Sequence, residues 1–339
     1  MMATEAPTAP TNADQAVEAE TKRSAANGDF VVPLIGDIDE DVFEEIGAAT
    51  ELLQEWHKAE DRLLAAASMP RRMGGQLRRQ ALQTLTQFLN VARSRSQIDY
   101  VAIPFDALDL VISSRTWTHA GRTAWFSGVS LLDRSGAEDE RDLPAVCLAI
   151  VHTLSKFEHA EQHAMCPRWL EKFVMFTVSG TVLLKDVKAW ERRLISNPHS
   201  GLLAPNAEMW ATAFVQRLDV LTRKAFATTL AWTHDHILTC IYNMELGSPD
   251  HGLSPRQLAI GLTGLGLVSA GVLPQESVLE GGGPACTPCE FPPEIWEHIL
   301  ALLLNAMCCS YVDLCGASKL IAELSQPRSE PPFGQVLPI

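Results

Sequence analysis

Apolar side chains recur at spacings of three and four along almost the whole of this chain, and almost nowhere at a spacing of two. Val42, Ile46, Ala49, Leu53, Trp56 and Leu63 make one such series, and Leu77, Ala81, Leu85, Phe88, Leu89 and Ala92 make the next. A 3.6-residue period puts each set on one face of a helix, whereas a half-buried strand needs strict alternation. Only 177–184 looks strand-like, and it suits a buried helical segment equally well. With 339 residues and 47% apolar content there is enough material for a sizeable core. The pattern predicts an all-α, large multi-helix globular protein of about ten helices.

Punctuation residues divide the helices. The spacing predicts helices over 37–63, from 76, over 104–113 and over 117–131. A long one runs from Asp142 to about Met165, where Cys166-Pro167 stops it because a residue before proline avoids helical dihedrals. Further helices are expected near 168–178, 183–195, 206–224 and 226–246. Ser254-Pro255-Arg256-Gln257 is a start signal: a serine cap, proline at the first helical position, and Gln three residues after the cap. A last pair opens at Pro293 and ends near Leu324. Around these, 1–36 is expected as a disordered acidic arm and 37–275 as the main helical domain, opening with a helical hairpin over 37–96. The Gly/Pro-containing 276–292 reads as a linker, 293–325 as a C-terminal helical element and 326–339 as a Pro-rich tail.

Charge is segregated. Residues 1–61 carry fifteen Asp or Glu against three basic residues, and 62–98 carry seven Arg with no acid, in a chain whose net charge is −14. A pI near 5.1 argues against general attraction to nucleic acid or anionic membrane, so any such contact must be local. Arg71, Arg72, Arg78, Arg79, Arg93 and Arg95 form the candidate nucleic-acid contact. Guanidinium groups bind phosphate bidentately and stack on bases, which suits single-stranded RNA. The competing expectation is that these arginines pair with Glu44, Glu45, Glu51, Glu55 and Glu60 across the hairpin.

Three further constellations contain metal-ligand chemistry. His152, His159, His163 and Cys166 share one side of the 142–165 helix, and a one-turn spacing can chelate zinc. Their side lies opposite Val146, Ile150, Leu154 and Phe157, hence on the outer face or against a second partner. Cys286 and Cys289 form a CxxC, half of a zinc site, with Cys308, Cys309 and Cys315 downstream but no second pair at clean spacing. With no secretory signal the eight cysteines are expected to be thiols in an intracellular protein, cytoplasmic or nuclear. His234-Asp235-His236 resembles, over two residues, the His-Asp centre of HD-type phosphohydrolases. That resemblance would imply an upstream His and a downstream Asp, for which His199 and Asp313 are available, but Ile237-Leu238 replaces the usual Gly-Lys.

Residues 291–300, Phe-Pro-Pro-Glu-Ile-Trp-Glu-His-Ile-Leu, resemble the opening of an F-box, which would imply docking on a ubiquitin-ligase adaptor. Downstream, Asp313-Leu314 comes too late and Lys319-Leu320-Ile321 replaces the basic-aromatic end. A proline-started amphipathic helix accounts for the same residues, so the family is not adopted. There is no P-loop and no GxSxG. The uncharged run 257–275 is interrupted by glycines and its apolar part is too short to span a bilayer, so no membrane partner is expected. The resulting expectation is a non-enzymatic assembly or scaffold protein that works through protein–protein contact and self-associates as a homo-oligomer. The alternative is a single-stranded RNA-binding nucleoprotein using 71–95, followed by a metal-dependent hydrolase. No catalytic residue and no cofactor beyond zinc is assigned.

Overall fold

The computed structural model describes residues 40–65, 73, 75–94, 119–158, 182–196, 205–247, 251–279 and 288–325. Among these residues it is all-α, with eleven α-helices, two short 3-10 turns and no strand. The helices are α1 (Glu40–Glu45), α2 (Thr50–Ala65), α3 (Gly75–Ser94), α4 (His119–Asp133) and α5 (Leu143–Glu158). They continue with α6 (Leu184–Ser196), α7 (Ala207–Leu221), α8 (Ala227–Gly247), α9 (Pro255–Ser269), α10 (Pro293–Met307) and α11 (Tyr311–Ser325). The segments expected as helices over 104–113 and 168–178 lie outside the described residues, as do the arm 1–36, the tail 326–339 and most of the linker.

Two helices organise the rest. α5 packs against α3, α4 and α6, and every residue from Ala145 to Leu154 is buried, so it is covered on more than one side. α9 packs against α7, α8 and α11, with Leu258–Thr263 and Gly266–Val268 buried. Contacts of α8 with α3 and of α4 with α7 join the two groups, and their apolar side chains form one continuous core that includes Ile299, Leu302 and Leu303 of α10 and Leu314 and Ile321 of α11. α2 joins through Trp56, edge-on to Trp210 of α7 with centroids 5.3 Å apart.

Local signals explain several boundaries. At α9 the Ser254 hydroxyl accepts from the Gln257 N–H at 3.2 Å while the Gln257 side chain accepts from the Ser254 N–H at 3.0 Å, a reciprocal capping box. The single helix read over 37–63 is in fact broken. Gly47 turns left-handed at φ 69°, the Ala48 N–H reaches back to the Phe43 carbonyl and the Gly47 N–H to the Glu44 carbonyl. That is a Schellman stop, which glycine adopts without a Cβ penalty. The stop frees the Ala48 carbonyl, and the buried Arg217 takes it at 2.8 Å. The Gly-rich α9 lets α11 approach closely: a Cβ on Gly261 would lie 2.8 Å from the Ala317 carbonyl carbon. No single helix among the described residues is long and apolar enough to cross a membrane, and α10 and α11 meet at a 91° bend.

Candidate functional site

Arg78 departs most from the expectation of an RNA-contacting Arg helix. Its side chain is fully buried, with Nε 2.6 Å from Asp133 Oδ1, Nη2 2.9 Å from Asp133 Oδ2, and Nη2 2.5 Å from Glu245 Oε2. The fork on Asp133 is the bidentate geometry for which guanidinium is suited. Burial alone would lower the Arg78 pKa, but the hydrogen bonds and charges of Asp133 and Glu245 outweigh it and raise it above the ordinary arginine range. Arg78 therefore cannot be a phosphate contact. Nor do its acids come from the preceding hairpin strand of charge; they come from the C-terminal ends of α4 and α8.

The arrangement extends in both directions. Glu245 Oε1 lies 3.3 Å from His251 Nε2, and His251 Nδ1 accepts the Leu253 N–H at 3.1 Å. An acceptor Nδ1 places the ring proton on Nε2, where it faces the carboxylate. Beyond Asp133, the buried Arg134 has its pKa lowered by burial, against the opposing charges of Asp133 and Glu60. Glu60 in turn faces Arg256: Oε1 accepts the Arg256 N–H at 3.2 Å, and Oε2 lies 3.2 Å from Nε as an ion pair out of hydrogen-bond alignment. Arg78 thus ties α3 to the ends of α4 and α8, and Arg256 ties the start of α9 to α2.

The remaining arginines divide. Arg79 is exposed and donates to the Gly247 carbonyl at 3.4 Å. Arg93 lies in the last turn of α3, with its side chain outside the described residues, and Arg71, Arg72 and Arg95 lie outside them altogether. Of the hairpin acids, Glu55 pairs with Lys58 at 2.7 Å, and Glu60 faces Arg256.

The histidine stripe is also placed differently from its expected outer face. His152 is buried, its Nδ1 3.0 Å from Glu191 Oε1 of α6. The second side of α5 is thus covered by α6, and His152 serves that contact. His159, His163 and Cys166 lie outside the described residues. On α8, His234 Nε2 bonds the Thr212 hydroxyl at 2.9 Å, Asp235 is exposed, and His236 stacks on Trp232 with centroids 5.0 Å apart. Asp313, the candidate fourth ligand of an HD-like centre, instead caps α11 through Ser310. Cys289 donates its thiol to the Val272 and Phe291 carbonyls, and Cys286 lies outside the described residues. Cys308 and Cys309 occupy the turn between α10 and α11, and burial pushes the Cys309 thiol up to about 12. Among the described residues no group of three or more His, Cys, Asp or Glu is disposed to hold a metal ion.

What sequence periodicity missed is on the surface. α11 packs one side on α9 through Leu314, Ala317 and Ile321 and leaves the other bare. Val312 is 77% exposed and Leu320 47% exposed, and between them Gly316 has nothing within 4 Å of where a Cβ would sit. These three stand at i, i+4 and i+8 and form one stripe. No protein-family model, no curated protein and no solved structure matches this chain.

Proposed function

We propose that this chain is a helical assembly protein that associates with copies of itself, with α11 as the joining helix. The observation that carries this is the exposed row Val312–Gly316–Leu320, flanked by exposed Lys319 and Glu323, on a helix that packs on α9 alone among the larger helix contacts. Single exposed apolar residues are ordinary, but a stripe at helical spacing with a glycine at its centre is the surface another helix packs against closely. The RNA-binding alternative loses Arg78 from its proposed contact.

The test is light scattering behind size exclusion over a hundred-fold range of concentration, for the intact chain and for Val312→Asp/Leu320→Asp. Both substituted positions are exposed, so helicity by circular dichroism should be unchanged. The intact chain should gain mass with concentration and the variant should stay at the monomer mass. A monomer mass for the intact chain throughout, or an unchanged profile for the variant, refutes the reading.

A further inference from the structure

α6, LKDVKAWERRLIS, carries a row of cations on its solvent side. Its buried residues are Val187, Glu191 and Leu194, and Glu191 is taken by His152. Lys185, Lys188 and Arg192 are all exposed and stand at i, i+3 and i+7, within an arc of about 60° that is turned away from the buried residues at 100° per residue. None of the three has an ion-pair or hydrogen-bond partner among the described residues. Arg193 lies over the Trp190 ring at 4.6 Å on the flank, and Ile195, 49% exposed, borders the stripe. Among the other described exposed cations, Lys58 pairs with Glu55, Arg79 donates to the Gly247 carbonyl, and Arg141 lies in the loop of Glu138, Asp139 and Glu140. The α6 row instead stands without such a contact, in a chain of net charge −14.

We propose that this face of α6 docks the acidic N-terminal segment 5–20 of the same protein. That segment holds Glu5, Asp14, Glu18 and Glu20 and no basic residue. Asp14 and Glu18 are four residues apart, close to the spacing of Lys185 and Lys188, and the small Ala16, Val17 and Ala19 beside the acids suit the border at Ile195. Reach is sufficient: the nineteen residues between Glu20 and Glu40 span up to about 70 Å when extended, more than the width of a domain of this size. Tethering sets a local concentration of roughly millimolar. A free polyanion such as RNA must reach the same cations against the repulsion of the whole molecule's negative charge. An arm held by charge at one helix is also free to exchange between copies, so the same contact serves within a chain or across an assembly.

Carbodiimide coupling of the intact protein followed by peptide mass spectrometry tests this directly. Lys185 or Lys188 should be joined to Asp14, Glu18 or Glu20 at about 20 mM salt, with the yield falling at least about five-fold near 0.5 M. Arg192→Glu keeps both reactive lysines and removes no contact among the described residues; it should cut the yield by a similar factor with circular dichroism unchanged. Mixing isotopically labelled and unlabelled protein assigns each link to one chain or two, and either assignment upholds the docking. Coupling of these lysines only to acids outside 5–20, or an unchanged yield in Arg192→Glu, overturns it. So does single-stranded RNA binding that Arg192→Glu abolishes when no arm link forms, which would assign the face to nucleic acid.

Discussion

Replacing Arg78 by methionine should be among the most damaging single changes this protein can suffer. Methionine is shorter but close in volume and apolar, so most of the effect comes from lost charge and hydrogen bonding rather than from a void. Arg78 is fully buried, Glu245 nearly so at 9% side-chain exposure, and Asp133 at 23%. The substitution deletes three charge-assisted hydrogen bonds from two carboxylates that have already lost most of their hydration. Breaking a buried pair from one side costs about 3–5 kcal/mol, several times the roughly 1 kcal/mol of an exposed pair. Against a typical total of about 5–15 kcal/mol, that is a large share of the stability. Equilibrium unfolding in urea, followed by tryptophan fluorescence and circular dichroism, measures it; Trp125, whose indole donates to Thr86 of α3, reports on this region. The paired change Arg78→Met/Glu245→Gln should recover about 1–3 kcal/mol, because it removes one of the two carboxylate charges. A loss below about 1 kcal/mol for Arg78→Met would refute the argument, since it would mean that water reaches these groups and screens them as it does a surface pair.

Four other changes follow from local geometry. Gly261→Ala should destabilise by about 1–3 kcal/mol in thermal or urea unfolding, because the added methyl meets the backbone of Ala317, while Gly316→Ala, in open space, should stabilise the monomer by up to about 1 kcal/mol through helix propensity alone. Cys308 sits at φ 49° at the end of α10, where the Cys309 N–H returns to the Leu304 carbonyl and the Cys308 N–H to the Asn305 carbonyl; Cys308→Gly should raise stability by about 1 kcal/mol by relieving the left-handed backbone. Asp313 accepts the Ser310 hydroxyl and N–H, which hold its carboxyl below the ordinary value of 3.8. A depressed folded-state pKa contributes stability above the unfolded value and loses it as pH falls through the folded value. Unfolding free energy measured from pH 5 downward should therefore fall less steeply in Asp313→Asn than in the parent.

Most of the helices were legible because their signals are local. The proline and serine at 254–255, the proline at 293 and the three-and-four spacing of Leu77, Ala81, Leu85 and Phe88 each act within a few residues, and α9, α10 and α3 start or face as those signals require. The break at Gly47 was legible in kind but hidden by the apolar spacing that continues across it. Charge partners were not legible at all. The pattern set the acids of 37–61 beside the arginines of 71–95 by adjacency in sequence, yet Arg78 is matched by Asp133 and Glu245, 55 and 167 residues away. A long side chain pairs with whatever carboxylate the packed helices bring within reach, and one-dimensional order carries no such distance. His152 fails for the same reason: its periodic face was correct, but whether that face met solvent or α6 depended on a helix forty residues on. Local signals in the sequence set the helical period and several of the caps among the described residues, because capping, proline geometry and amphipathic period are short-range. Only the tertiary structure decided which charges are buried and paired, and which side chains of α6 and α11 stay exposed, because those depend on helices distant in sequence.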